Sequence, residues 1–153
     1  MQHWLMKSEP AEVSIDDALA APGQCVAWIG VRNYQARNFM RDHMKVGDGI
    51  LFYHSSCAQP GIAGVAEVAS TAYPDPTQFD PGSPYHDPAA RPEQPRWLLV
   101  DVRALRKTRL LTLAELRQQP DLADMLILRR GNRLSITPVT RQQWEKIMEL
   151  AGD

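Results

Sequence analysis

Seven of the chain's twelve prolines fall within residues 70–95, at positions 74, 76, 81, 84, 88, 92 and 95. Proline supplies no backbone N–H and fixes its own φ, so neither a helix interior nor a central strand tolerates that density. This stretch of the 153-residue chain is expected as one long loop. Loops of that length inside a compact domain are uncommon and often functional. The regular elements must then be shared between the segments before and after it. The length, residues 1–153, suits a single domain able to bury a core.

Before the loop, 3–7 reads as a short apolar strand. Ser14 caps a helix with Asp16 and Asp17 in its first turn, and Pro22-Gly23 stops it. Residues 25–29 are a short buried stretch carrying Trp28, with Gly30 as a turn residue. Residues 33–45 make the clearest helix. Ala36, Phe39, Met40 and Met44 share one side, and Tyr34, Arg37, Asn38, Arg41 and Lys45 the other. Gly47-Asp48-Gly49 is a turn into a strand at 50–54. A further strand, 61–68, contains Gly64, which marks a close backbone approach.

After the loop, 97–103 returns to strong β-formers. Thr112 and Glu115 form a capping box for a helix ending by Pro120, and 121–128 reads as a second short helix. Residues 133–139 are a last strand. Thr140 and Gln143 cap a terminal helix that packs Trp144, Ile147, Met148 and Ala151. Short strands interrupted by helices without a βαβ rhythm predict an α+β fold, a curled mixed sheet or small barrel surrounded by helices.

Composition excludes several classes. Apolar residues make up 44% and charged residues 23%, so the chain should fold. No apolar run approaches the ~18 residues of a membrane helix, and no secretory signal opens the chain. Cys25 and Cys57 stand in no metal or redox spacing. A reduced, cytoplasmic protein with no metal, cofactor or membrane partner is the expectation, and its oligomeric state is left open.

A net charge of −1 argues against bulk, sequence-blind nucleic-acid binding. Its distribution is uneven. Arg32, Arg37 and Arg41 have no acid among them, and 103–133 holds eight basic residues against Glu115, Asp121 and Asp124. A local basic face and a salt-bridged surface are both compatible with that pattern. Arg129, Arg130 and Arg133 carry the same two readings, solvated charge or phosphate contact.

No P-loop, dinucleotide fingerprint, nucleophile elbow or zinc spacing is present. His54 and Cys57 could in principle pair as base and thiol, but nothing marks an orienting third group. Trp28, between a short strand and a glycine, could line a pocket or fill the core. Trp4, Trp97 and Trp144 sit inside regular elements and read as core. Tyr85 and His86 are loop aromatics with no evident core role. Lys7-Ser8 ends the first strand.

These residues, taken in longer blocks, resemble the EVE domain family. The resemblance rests on Trp4-Leu-Met-Lys-Ser-Glu-Pro10, Gly30-Val-Arg-Asn-Tyr-Gln-Ala-Arg-Asn-Phe-Met40, Gly47-Asp48 with Leu51-Phe-Tyr-His-Ser-Ser56, and Gly61-Ile-Ala-Gly-Val-Ala-Glu67. It continues through Asp75-Pro-Thr-Gln-Phe-Asp-Pro81, Pro95-Arg-Trp-Leu-Leu-Val-Asp-Val102 and Leu126-Ile-Leu-Arg-Arg-Gly-Asn-Arg-Leu-Ser135. The blocks run in order over nearly the whole chain.

The resemblance implies a PUA-like fold similar to YTH domains and an aromatic pocket for a modified base, methylated or oxidised cytosine or methyladenine. By that likeness Trp28 falls at a cage tryptophan and Lys7-Ser8 at a pocket Lys-Ser. Trp28 and Tyr85 become candidate stacking walls, Ser8 and Asn33 candidate edge readers, and Tyr53 a candidate at the pocket rim. Arg32, Arg37, Arg41, Arg129 and Arg133 become candidates for the nucleic-acid backbone. Ile29 departs from the pattern, since the position after the tryptophan is often acidic in the family.

Three functions follow. One is a non-catalytic reader of a modified base in DNA or RNA. The second is a general RNA-binding PUA-like domain indifferent to modification. The third is a small hydrolase using His54 or Cys57.

Overall fold

The computed structural model describes residues 1–152. A six-stranded mixed sheet carries the chain, in the order β2 (Cys25–Ala27), β7 (Asp101–Thr112), β4 (Gly61–Val68), β3 (Gly49–His54), β1 (His3–Ser8) and β8 (Ile136–Val139). β1 runs parallel to β3, and every other pairing in this sheet is antiparallel. A two-stranded ribbon of β5 (Tyr73–Pro74) and β6 (Leu98–Leu99) ties together the two ends of the proline-rich segment. Four α-helices, α1 (Ile15–Ala20), α2 (Tyr34–Asp42), α3 (Leu113–Arg117) and α4 (Arg141–Leu150), complete the expected α+β architecture among the described residues.

Period-two alternation feeds two separate cores. In β1, Trp4 and Met6 enter one and Leu5 the other; in β3, Ile50 and Phe52 oppose Leu51 and Tyr53. The first core also takes Ile15 and Ala18 of α1 and Ala36 and Met40 of α2. The second takes Leu116 of α3 and Ile147 of α4. Six residues are too few for an isolated helix to persist, so α1 depends on its Ser14–Asp17 capping box and on Ile15. Ile15 lies on Gly64, where a Cβ would stand 2.5 Å from the Ile15 Cδ1. The close approach expected at Gly64 is that contact.

Four elements differ from expectation. The strand expected at 97–103 is split at Val100, and its second part extends as β7 to Thr112. Charged residues are uncommon in strands, yet an antiparallel strand with one wet face can alternate them with core residues. Val102, Ala104 and Thr108 are buried, while Arg103, Lys107 and Arg109 meet Glu67, Asp16 and Glu115 across solvent. Much of the basic excess at 103–133 is thus a salt-bridged face.

The helix expected at 121–128 is instead two 3₁₀ turns, Pro120–Leu122 and Leu126–Leu128. Leu122, Met125 and Ile127 all reach the second core, a spacing of three and then two that one straight α-helix cannot aim to one side. The helix expected to reach residue 45 ends at Asp42, because the Asp48 carboxylate captures the Lys45 N–H at 3.0 Å. The last strand begins at Ile136, not 133, where its ladder to Met6 begins.

The proline-rich segment is a loop, but it is tied down by buried side chains. Gln78, fully buried, donates its amide to the Asp75 and Trp97 carbonyls and accepts from the Arg96 and Trp97 N–H groups. Asp87 accepts the Trp97 indole N–H at 2.8 Å. These bonds replace the ladder that prolines preclude.

Candidate functional site

The C-terminal ends of β1 and β3 and the turn leaving β2 surround a cavity of about 560 Å³. Such a volume falls in the range of small-molecule and base pockets. Lys7 and Ser8 enter from β1, Ser55 follows β3, and Ala27 to Val31 supply one wall. Tyr85 comes from the proline-rich loop, and Arg133 and Ser135 from the approach to β8.

Trp28 is both core and wall. It is 7% exposed and meets Phe52 edge-on at 5.3 Å, while lining the cavity. Its indole N–H finds no acceptor among the described residues, and no fully buried side-chain polar atom is left unpaired there. That N–H therefore remains open to a ligand.

Tyr85 is held from two sides. Its hydroxyl donates to Glu12, which also lines the cavity, at 2.5 Å, and its ring covers Gly30. Gly30 has φ +87°, and a Cβ there would stand 2.6 Å from the ring, so only glycine suits the position. Burial, with the Glu12 hydrogen bond, pushes the Tyr85 phenol up to about 12. It remains a donor at every physiological pH.

The wall segment is fastened by Asp75, which is fully buried. It accepts the Gly30 N–H at 2.9 Å, the Arg32 guanidinium at 3.1 Å, and the Thr77 N–H and hydroxyl. Burial alone would raise the Asp75 carboxyl, but these hydrogen bonds outweigh it and hold it below the ordinary value. Sequence reasoning missed Asp75 as a site residue. An Asp-Pro-Thr turn gives no hint that its carboxylate reaches residues more than forty positions upstream.

At the inner edge, the Ser8 hydroxyl donates to the Val13 carbonyl at 2.6 Å. Its lone pairs stay available, which makes Ser8 an acceptor toward a ligand. Lys7 has no ion-pair partner among the described residues, and burial lowers its ammonium below the ordinary lysine value. Arg133 is exposed and likewise has no side-chain partner among the described residues. Val13, Val26, Ile29 and Val31 make the lining partly apolar, with Ile29 42% exposed.

Of the residues named from sequence for the pocket, Lys7, Ser8, Trp28 and Tyr85 converge on the cavity. Asn33 and Tyr53 do not line it. Asn33 is spent as the N-cap of α2, accepting the Ala36 N–H. Tyr53 is 2% exposed within the second core, on the other face of the sheet from Phe52. Arg32, expected at a nucleic-acid backbone, uses all five N–H donors inside the chain, on Tyr85, Val31, Asp75 and Thr77. It is a tie between wall and loop.

Arg37 is partly committed, to Asn38 and the Arg96 carbonyl, and Arg41 lies on Asp42. Arg129 is exposed without a side-chain partner among the described residues. Glu12, Ser55 and Ser135 also line the cavity. No spacing in the sequence groups those three.

His54 bears on the hydrolytic alternative. Its Nε2 accepts the Ile15 N–H at 3.1 Å, so the lone pair a general base would use is already engaged. No cluster of three His, Cys, Asp or Glu side chains able to hold a metal occurs among the described residues.

Residues 2–150 match the model of the EVE domain. The chain belongs to the EVE domain family. Human thymocyte nuclear protein 1 is 42% identical over 166 residues, spanning 97% of this chain and 73% of the relative. A Pseudomonas syringae protein of known structure superposes with a TM-score of 0.93 at 48% identity, covering 97% of this EVE chain and 99% of its own. The human THYN1 protein solved in complex with 5-methylcytosine-containing DNA superposes with a TM-score of 0.92 at 41% identity, covering 100% and 99%.

Proposed function

We propose that this EVE domain is a non-catalytic reader of a modified cytosine in DNA, taking the base into the cavity beside Trp28. The observation that carries this is the convergence of an aromatic wall with an open N–H, an unpaired cation and a hydroxyl acceptor around one partly apolar void. A base reaches such a site only by leaving its stack, at a cost of about a few kcal/mol. Stacking on an aromatic wall returns about 1–3 kcal/mol per base.

Selectivity then falls to the polar edge and to the methyl group. Ser8, its own proton spent on Val13, accepts from an exocyclic amine. Lys7 donates to a ring carbonyl. The apolar side, Val13, Val26, Ile29 and Val31, offers a methyl the ~0.8 kcal/mol that its burial is worth. An acidic side chain in place of Ile29 would give up part of that apolar surface. The human relative solved with 5-methylcytosine DNA supports cytosine over adenine as the base.

Fluorescence anisotropy tests this with matched oligonucleotides carrying cytosine or 5-methylcytosine, for the wild-type chain and Trp28→Ala. Tighter binding to the methylated oligonucleotide, abolished in Trp28→Ala, is the expected result. Equal affinity for both in wild type and variant alike would leave a general nucleic-acid binder and remove the reader.

A further inference from the structure

A second cavity of about 420 Å³ lies where the N-terminal turn of α2 meets the end of the proline-rich loop. Its lining includes Tyr34, Arg37, Arg91, Gln94 and Arg96, three arginines and no carboxylate. Tyr34 is 51% exposed, an unusual place for an aromatic ring, and its hydroxyl has no partner among the described residues. Arg91 opens a turn closed by the Gln94 N–H on its carbonyl at 2.9 Å, with Pro92 at the second position. Its guanidinium is exposed and without a partner among the described residues.

This groove is joined to the base cavity by a run of stacked groups. The Arg32 guanidinium lies 5.6 Å from the Tyr85 ring and 5.6 Å from the Trp97 ring. Trp97 stacks on Tyr34 at 4.8 Å and 25°. The Arg37 guanidinium follows at 4.7 Å from the Tyr34 ring. Tyr85 lines the first cavity and Tyr34 the second, so the run of stacked groups links the two.

We infer that the groove is a phosphodiester subsite, holding the backbone of the strand that flanks the base in the cavity. Arg91, Arg96 and the Tyr34 hydroxyl supply the donors. Arg96 is only loosely claimed by Asp87, at 3.5 Å and 40% exposed, and turns toward phosphate at little cost. Arg37 is held in plane by Asn38 and the Arg96 carbonyl, so it presents a fixed positive charge rather than a mobile one. This division matches the general rule that phosphate contacts position a strand while base contacts specify it. With a net charge of −1, a groove whose lining holds three arginines, only one of them loosely paired with a carboxylate, is the place where a polyanion is received.

The inference rests on the nucleic-acid reading of the base cavity, and the test separates the two. Affinities for the cytosine and 5-methylcytosine oligonucleotides are measured over a salt series for wild type, Arg91→Ala, Arg91→Ala/Arg96→Gln and Trp28→Ala, after melting curves show that each is folded. Arg91→Ala is the clean variant, because its side chain supports nothing within the chain. The double variant is expected to weaken binding of both oligonucleotides about tenfold and to reduce the salt slope by about one to two. The methylated-to-unmethylated ratio should persist.

Trp28→Ala should lose that ratio and keep the slope. Wild-type affinity and slope in both arginine variants, while wild type binds DNA, would overturn the subsite and leave the reader standing. An arginine-dependent slope with no preference for methylated DNA would remove the reader and keep the subsite. No binding of either oligonucleotide by wild type at low salt would overturn both. Equal, arginine-dependent competition by a polyglutamate peptide would reassign the groove to an acidic polypeptide.

Discussion

Trp4 and Trp28 are both buried, at 2% and 7% exposure, yet their surroundings are opposites. Trp4 donates its indole N–H to Asp48 at 3.1 Å, and that carboxylate also takes the Gln2 and Lys45 N–H groups. Every polar group there is spoken for, and no space remains. Around Trp28 an indole N–H, an ammonium and a hydroxyl acceptor stand without partners on the rim of a void. Burial fractions do not separate the two tryptophans; hydrogen-bond satisfaction does. Polar groups left unpaired on the accessible wall of a cavity are free to meet a ligand there.

The contrast can be broken first at Trp4. Trp4→Ala empties a closed core and should cost about 3–5 kcal/mol, lowering the chemical-denaturation midpoint well below that of the wild-type chain. Trp28→Ala should cost clearly less, since one side of its ring already faces space. If both lose equal stability, Trp28 is core and not wall.

Next comes Asp75→Ala, which leaves Arg32 without its buried carboxylate and is expected to cost about 3 kcal/mol. Because the Asp75 carboxyl is held below its ordinary value, its stabilisation is full above the ordinary carboxylate range. It is lost as pH falls through the lower, folded-state value. The variant's acid unfolding should be shallower than that of wild type, and an unchanged acid limb would remove Asp75 as the tie.

Trp28→Phe keeps an aromatic face but removes the N–H together with the fused five-membered part of the indole. Melting should hardly move, while affinity for the methylated oligonucleotide should fall about five- to tenfold, the size of one hydrogen bond. Unchanged affinity would mean that the ring alone is used.

The smallest effect concerns His54. Burial lowers its imidazole below the ordinary histidine value, and His3 is lowered for the same first reason. Unfolded chains therefore take up protons first on acidification. The stability contributed by the neutral rings is complete above about pH 6.5 and declines below it. His54→Gln should flatten the decline in melting temperature between about pH 6.5 and 5, to what His3 leaves.

Much of the fold was legible because its signals are local. Ser14, Thr112 and Thr140 announce their helices within three residues, and the alternation in β1 and β3 divides the two cores. The extension of β7 was hidden by Arg103, Lys107 and Arg109, since the partners of the first two, Glu67 and Asp16, lie far away in sequence. In the site, Trp28, Lys7, Ser8 and Tyr85 were legible chiefly through family likeness. Arg32 was misplaced because sequence shows its charge but not the five hydrogen bonds that spend its donors. Tyr53 was misplaced because one step along a strand exchanges faces.

The way the proline-rich loop is anchored has a consequence for how such chains diversify. Its shape is set at a few points, Asp75, Gln78 and Asp87, and not by a continuous register. A strand cannot gain a residue without turning every later side chain over. A segment pinned at separate points can lengthen or shorten between pins and return to the same place. The loop that supplies a wall to the candidate cavity and arginines to the neighbouring groove is thus the part most open to evolutionary tinkering. New preferences can arise there while the sheet beneath stays as it is.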